Sequence, residues 1–447
     1  MNREEKERLE RRRRMLARER GEAPPTPPPA SKQQPERERP APERSAPSTL
    51  PPKEQDAAAA PAATLRPISP ILRRRQRRRR IAVVLVVLII AAVMAVGSGL
   101  LGTSIAMLGD MTDSISLYLN RAGAGWPANT GIRTPTQVEP LAGGFVEMDN
   151  EDVAVYSAYG AKIRTIQPGY ARPALAAGKT RFVLYNRSGN ELRVESRTQN
   201  LYTKQLENSI FLCAMSDNGT LAVVTEDQTS MAKLLVYSPS MEQQLSWSMT
   251  SNDGTPLRMV FSPDSRKLAA AAVTVSGGQV MTNLYLINLA SGDPVSLVNQ
   301  GGVPQWLGWT SASTILAVYD TRAVLYNAGG GERAVYDFAG TELKDVSVDA
   351  AGNVALLLAS GQVSQAVTLD KNLNVQFSAA VSAANSIVRA GNLFYLLADN
   401  AVECFDASGT QQWSQNLDTS PQALLANSKD LLLFSGNTVQ KLEAPAE

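Results

Sequence analysis

The stretch AANSIVRAGN LFYLLADN AVECFDASG TQQWSQNLD, residues 383–418, decides the fold. It breaks into four short segments, each carrying a few apolar residues and ending in Gly, Asn, Asp or Ser. Runs such as LFYLL at 393–397 are too short for a stable helix and are rich in aromatic and aliphatic side chains. Bounded by turn formers, they read as strands. Four strands joined by tight turns make one antiparallel sheet.

The same layout recurs through the chain. TQVEPLAG, GFVEMDN, EDVAVYSAYG and AKIRTIQPG, residues 136–169, line up with it, and further sets start near residues 170, 209, 254, 301 and 341. The period of about 35–45 residues is that of propeller blades. A turn precedes the second strand in each set: SDNG at 216–219, SPDS at 262–265 and DAAG at 349–352. Asn, Asp and Gly tolerate the backbone angles that such hairpins need. Seven full sets run from 136 to about 418, followed by three strands, PQALLANS, DLLLFSG and TVQKLEA, at 421–443. The missing fourth strand comes from GIRTPTQ, residues 131–137, or from the segment just before it. Pairing the two chain ends removes the open edges of the ring. The expected fold is therefore an all-β propeller of eight blades, with seven as the alternative count.

Short motifs carry a resemblance. FSPDSRKLAAAAV, residues 261–273, resembles the F-S-P-D-G-x-x-L repeat of TolB-like and WD40-like propellers, with Ser265 in place of the usual glycine. FDASGTQQWSQNL, residues 405–417, resembles the repeat of pyrroloquinoline-quinone-type propellers, and INLASGDPVSLV, residues 287–298, shares its spacing without the Trp. The whole layout is similar to membrane-anchored propellers of clostridial-type bacteria, which implies a family without an assigned function. These motifs imply fold, not activity.

The net charge of +2 conceals two opposed parts. Residues 1–80 hold 22 Lys/Arg, 11 Asp/Glu and 14 of the 26 prolines, with no aromatic residue, which predicts a disordered basic tail. Residues 81–447 hold the remaining 22 basic and 31 acidic residues. Between them, 81–109 contains no charge, and about 20 apolar residues suffice to cross a bilayer as a helix. Arg73, Arg74, Arg75, Arg77, Arg78, Arg79 and Arg80 abut this run, while Asp110 and Asp113 follow it. Positive-inside bias then predicts a single-pass type II protein of the cell membrane with a cytoplasmic N-terminus. Its parts are the tail (1–80), the span (81–109), a stalk (110–130) and an extracytoplasmic propeller (131–443). The arginine block lies against the membrane, so anionic lipid is its expected contact rather than nucleic acid.

The composition excludes much chemistry. There is no histidine, so no Ser-His-Asp or Cys-His arrangement and no imidazole metal ligand. Cys213 and Cys404 fall in different blades and are expected to be free thiols. The quinone-dependent enzymes of the resembling superfamily use adjacent cysteines and a calcium site, and neither pattern is present. No cofactor, metal or catalytic residue is assigned. Two carboxylates would suffice for glycoside hydrolysis, and Glu139, Asp253, Asp320 and Asp345 are the acids to watch.

Strand alternation supplies candidate binding groups. On the innermost strands, one parity reads Cys213/Met215, Met259/Phe261, Leu307/Trp309 and Val346/Val348, all apolar. The other parity brings Arg258, Trp306 and Asp345, with Arg389 of the same kind. Arg258, Trp306, Trp309, Asp345 and Arg389 are thus the candidate binding residues, Trp306 beside Trp309 being the densest local concentration. The expected function is binding: a non-enzymatic scaffold presenting loops to an envelope protein or a cell-wall component. A sensor that reports external binding through its tail is the alternative, followed by a glycan-active enzyme.

Overall fold

The structure is a computed structural model, and it describes Asp113, residues 125–292, 294–426 and 431–442, with side chains of 294–296 left aside. The predicted tail, the span and the arginine block from Arg73 to Arg80 lie outside the described residues, as does most of the stalk. Among the described residues no helix is long and apolar enough to cross a membrane.

The chain forms eight four-stranded antiparallel sheets, each wound in sequence order except the last. The innermost strands of blades 1 to 8 are Gln137–Leu141, Pro173–Ala177, Ile210–Met215, Thr255–Phe261, Pro304–Ser311, Glu342–Val348, Ser386–Ala390 and Pro421–Ala426. Blade 8 takes its outermost strand from the other end of the chain. Ala128 pairs with Val439 and Asn129 with Thr438, so the segment just before GIRTPTQ closes the ring. Thr130 N donates to Asn437 O at 2.9 Å, and Tyr156 Oη and Lys162 Nζ from blade 1 both donate to Thr130 O. Phe145 of blade 1 stacks on Trp126 and meets Phe434 of blade 8 edge-on, packing the same junction.

Each blade buries both faces, and this explains the sequence of its middle strands. Gly144–Met148, Val153–Ser157, Leu221–Thr225 and Thr314–Tyr319 are buried along their whole length. Strands covered on both sides read as continuous apolar runs rather than alternating ones. Alternation survives in a different form. Val223 joins the cluster between blades 2 and 3, whereas its neighbours Ala222 and Val224 join the cluster between blades 3 and 4. Period two therefore divides side chains between two neighbouring blades.

Local chemistry fits the turns. Ser265 holds the left-handed backbone, φ 57°, that its motif usually assigns to glycine, and its N–H bonds Ser262 O at 2.7 Å. Blade 4 departs from the rest: its middle strands, Lys267–Ser276 and Gln279–Asn288, are ten residues each. They form a hairpin tip where Val275 and Val280 face each other in register and remain exposed.

Candidate functional site

In blades 1 to 7 a described turn joins the first two strands, and these first turns lie at one end of the central channel. A cavity of about 520 Å³ opens there, walled by the innermost strands of blades 1 to 5. Its lining includes Glu139, Met215, Met259, Phe261 and Trp309, with Ser216 and Pro263 from the turns at the mouth. The apolar residues come from the ends of strands that pack between blades, so the wall is a rigid extension of the core. Trp309 is fixed by its indole N–H, which donates to Val260 O at 3.3 Å. Glu139 is the one charged side chain set within the strand walls. No hydrogen bond or ion pair holds its carboxylate among the described residues, and burial pushes its pKa up to about 6.

The sequence candidates are dispersed. Trp309 lines the cavity, but Trp306 does not: it packs in the seam between blades 5 and 6, its ring folded over Gly308. The two tryptophans lie on opposite sides of one strand and form no common patch. Arg258 is exposed on blade 4, its Nε donating to Gln305 O at 2.9 Å beside a bulge at Pro256/Arg258. Asp345 bridges blades 6 and 7, accepting from Ser386 Oγ and from Ile387 N at 2.9 Å, and also from Val346 N at 2.8 Å. Arg389 is buried in the same seam, with Nη2 donating to Gln376 Oε1, and burial lowers its pKa.

The four carboxylates singled out for hydrolysis have separate settings. Asp253 caps its own turn through Thr250 and accepts from Tyr285 Oη at 3.1 Å, and Asp320 accepts from Val303 N at 3.1 Å. Only Glu139 faces the cavity. Both thiols are free and buried. Burial pushes Cys404 up to about 11 and raises Cys213 well above the ordinary thiol range, so neither is an activated nucleophile.

One contact was not legible from the sequence. Asp113, from the predicted stalk, is buried against the turn between the third and fourth strands of blade 2. Its Oδ2 pairs with Arg197 Nε at 2.9 Å, with both side chains at most 5% exposed, and Thr198 Oγ1 donates to its other oxygen. Arg197 also donates to Ala142 O in the first turn of blade 1. Asp113 is thus fastened to the face on which the cavity opens.

Residues 128–443 match the model of a family described as a family of unknown function, DUF5711. No curated protein matches the chain. Among solved structures, the C-terminal WD40 domain of Sif2 is 11% identical, with a TM-score of 0.53, covering 73% of this chain and 100% of that one. BamB from Moraxella catarrhalis is 14% identical over 70% of this chain and 98% of its own, with a TM-score of 0.47. Sqt1 from Chaetomium thermophilum, bound to the N-terminus of the ribosomal protein L10, is 11% identical over 70% and 100%, with a TM-score of 0.47. At these identities the likeness is one of fold.

Proposed function

The chain belongs to the family of unknown function DUF5711, and we propose that it is a membrane-anchored extracytoplasmic propeller acting as a scaffold for a protein partner or a cell-envelope component. The observation that carries this reading is the cavity on the first-turn face: a mixed wall of strand backbone, Met, Phe and Trp side chains, with the Glu139 carboxylate in the wall and Asp217 at the mouth. Such a surface selects and holds. The carboxylates named above sit in separate settings and both thiols are raised, which supports binding over catalysis.

Anchoring rests on the uncharged run at 81–109 and on Arg73–Arg80, which would contact anionic lipid on the cytoplasmic side. In this reading the first-turn face lies close to the bilayer. Asp113 follows the uncharged run by four residues, and an extended chain covers at most about 3.6 Å per residue. The buried Asp113–Arg197 pair is also what a sensor would need to transmit a change from propeller to span, which favours signalling as the second reading.

Crosslinking in membranes followed by affinity purification tests the scaffold: one stoichiometric partner is expected, and its absence overturns the reading. Deleting residues 2–70 should leave a scaffold working and disable a sensor. Protease added to intact protoplasts should cut the propeller and spare the tail; protection of the propeller would refute the orientation. Saccharide turnover by the full chain across a cell-wall glycan panel would replace binding with hydrolysis.

A further inference from the structure

We propose that the central cavity is a recognition site for a cationic side chain of the partner, with Glu139 pairing the charge and the methionine and aromatic side chains of the wall holding the aliphatic stem. This rests on the protein-binding reading and names the chemistry of the partner. Glu139 occupies the middle of the innermost strand of blade 1, in the wall of a cavity that Met215, Met259, Phe261 and Trp309 also line, with Ser216, Asp217 and Ser262 at its mouth. Glu139 is half-buried, and among the described residues no side chain supplies a counter-charge to its carboxylate. A cation entering the cavity supplies it, a neutral group does not, and an anion is repelled. Met215, Met259, Phe261 and Trp309 suit the rest of a lysine or arginine: methylene stems lie well on such surfaces, and an aromatic face attracts a nearby cation.

The rim points to the same class of partner. Among the described residues the turns and strand ends around this face carry Asp217, Asp264, Glu242, Asp349, Asp370 and Asp406, against Lys179, Arg266, Lys371 and Arg197, the last neutralised by Asp113. Hydrogen bonds from Ser262 and from Ser408 hold Asp264 and Asp406 below the ordinary carboxylate range, so both stay charged at neutral pH. An acidic rim steers a basic segment toward the mouth, and the single carboxylate inside selects the side chain that enters.

The test uses the full chain in detergent and two peptides, acetyl-Ala-Lys-Ala-amide and the same peptide with norleucine, which keeps the stem and lacks the ammonium. Ligand-observed NMR at pH 7.5 should show the lysine peptide binding at least tenfold more tightly. Glu139→Gln, at an unchanged thermal midpoint, should reduce the lysine peptide to the norleucine level, and so should lowering the pH to 5. Equal binding of the two peptides overturns the proposal without any variant being needed, as does a lysine preference that survives Glu139→Gln. The scaffold reading fails separately, when wild-type protein captures no partner in membranes. A partner captured equally by wild type and Glu139→Gln leaves the scaffold and removes this site.

Discussion

Glu139 and Asp345 occupy the same structural role in two regions of the ring, a carboxylate midway along an innermost strand, and they have opposite fates. Asp345 lies at the seam of blades 6 and 7, where Ser386 Oγ, Ile387 N and Val346 N all donate to it. Glu139 lies where the ring opens into the cavity, and among the described residues nothing donates to it. The difference teaches that position on a strand does not distinguish a structural acid from a binding one. The number of donors that the neighbouring blade delivers does. Two further carboxylates extend the scale. Asp113 is paired with Arg197 and bonded by Thr198, while Glu147 is buried in blade 1 with one oxygen lacking a partner.

The comparison breaks if stability does not follow this order. Arg197→Ala, which strips a buried carboxylate of its counter-charge, should cost the most, about 3–5 kcal/mol in denaturant unfolding. Asp345→Ala should cost about 2–3 kcal/mol, because it orphans a hydroxyl and two backbone N–H groups that were bonded to a charge. A loss for Asp345→Ala no larger than for an exposed Asp would dissolve the distinction.

Titration sharpens it. Burial raises Glu147 from the ordinary 4.5 to about 7, its largest cause, and Glu139 to about 6. A carboxyl whose folded pKa is raised binds more protons folded than unfolded, so its contribution to stability is present at low pH and lost as pH rises from about 4.5 through 7. Unfolding midpoints should therefore fall between about pH 4.5 and 7, and Glu147→Gln should flatten part of that fall. A slope untouched by Glu147→Gln would remove this carboxyl from the scale. The smallest effect belongs to Glu139→Gln, which should leave the unfolding midpoint at pH 7.5 unchanged or slightly raised while altering what the cavity binds. A marked destabilisation would make Glu139 a second Asp345.

Most of the fold was legible before any coordinates. Three strands left over at 421–443 implied an eighth blade completed by the chain's beginning, and Ala128–Asn129 supplies that strand. Turn chemistry placed the sets, because Gly, Asn, Asp and the left-handed Ser265 are local requirements that a sequence displays. The site was legible only in its membership. Glu139 was one of four acids with nothing to rank it, and Trp309 one of five binding candidates, grouped with Trp306, from which the structure separates it. Alternation sorts the side chains into two sheet faces without showing what covers each, and in a ring of blades it separates the two neighbours. For that reason Trp306 and Trp309, three residues apart, belong to different seams.

By itself the sequence determined the repeat and the exclusion of imidazole chemistry and favoured eight blades over seven, since strand length, turn preference and composition are properties of short segments, while the pairing of Ala128–Asn129 with the last blade decided the count. The charge pattern likewise set the expectation of a single span with its arginines inside. Tertiary structure decided which carboxylate is satisfied, which tryptophan reaches the cavity and where Asp113 docks. Those outcomes depend on donors brought from residues tens of positions away, Ser386 to Asp345 or Arg197 to Asp113. Only the packing of one blade against the next puts them in reach.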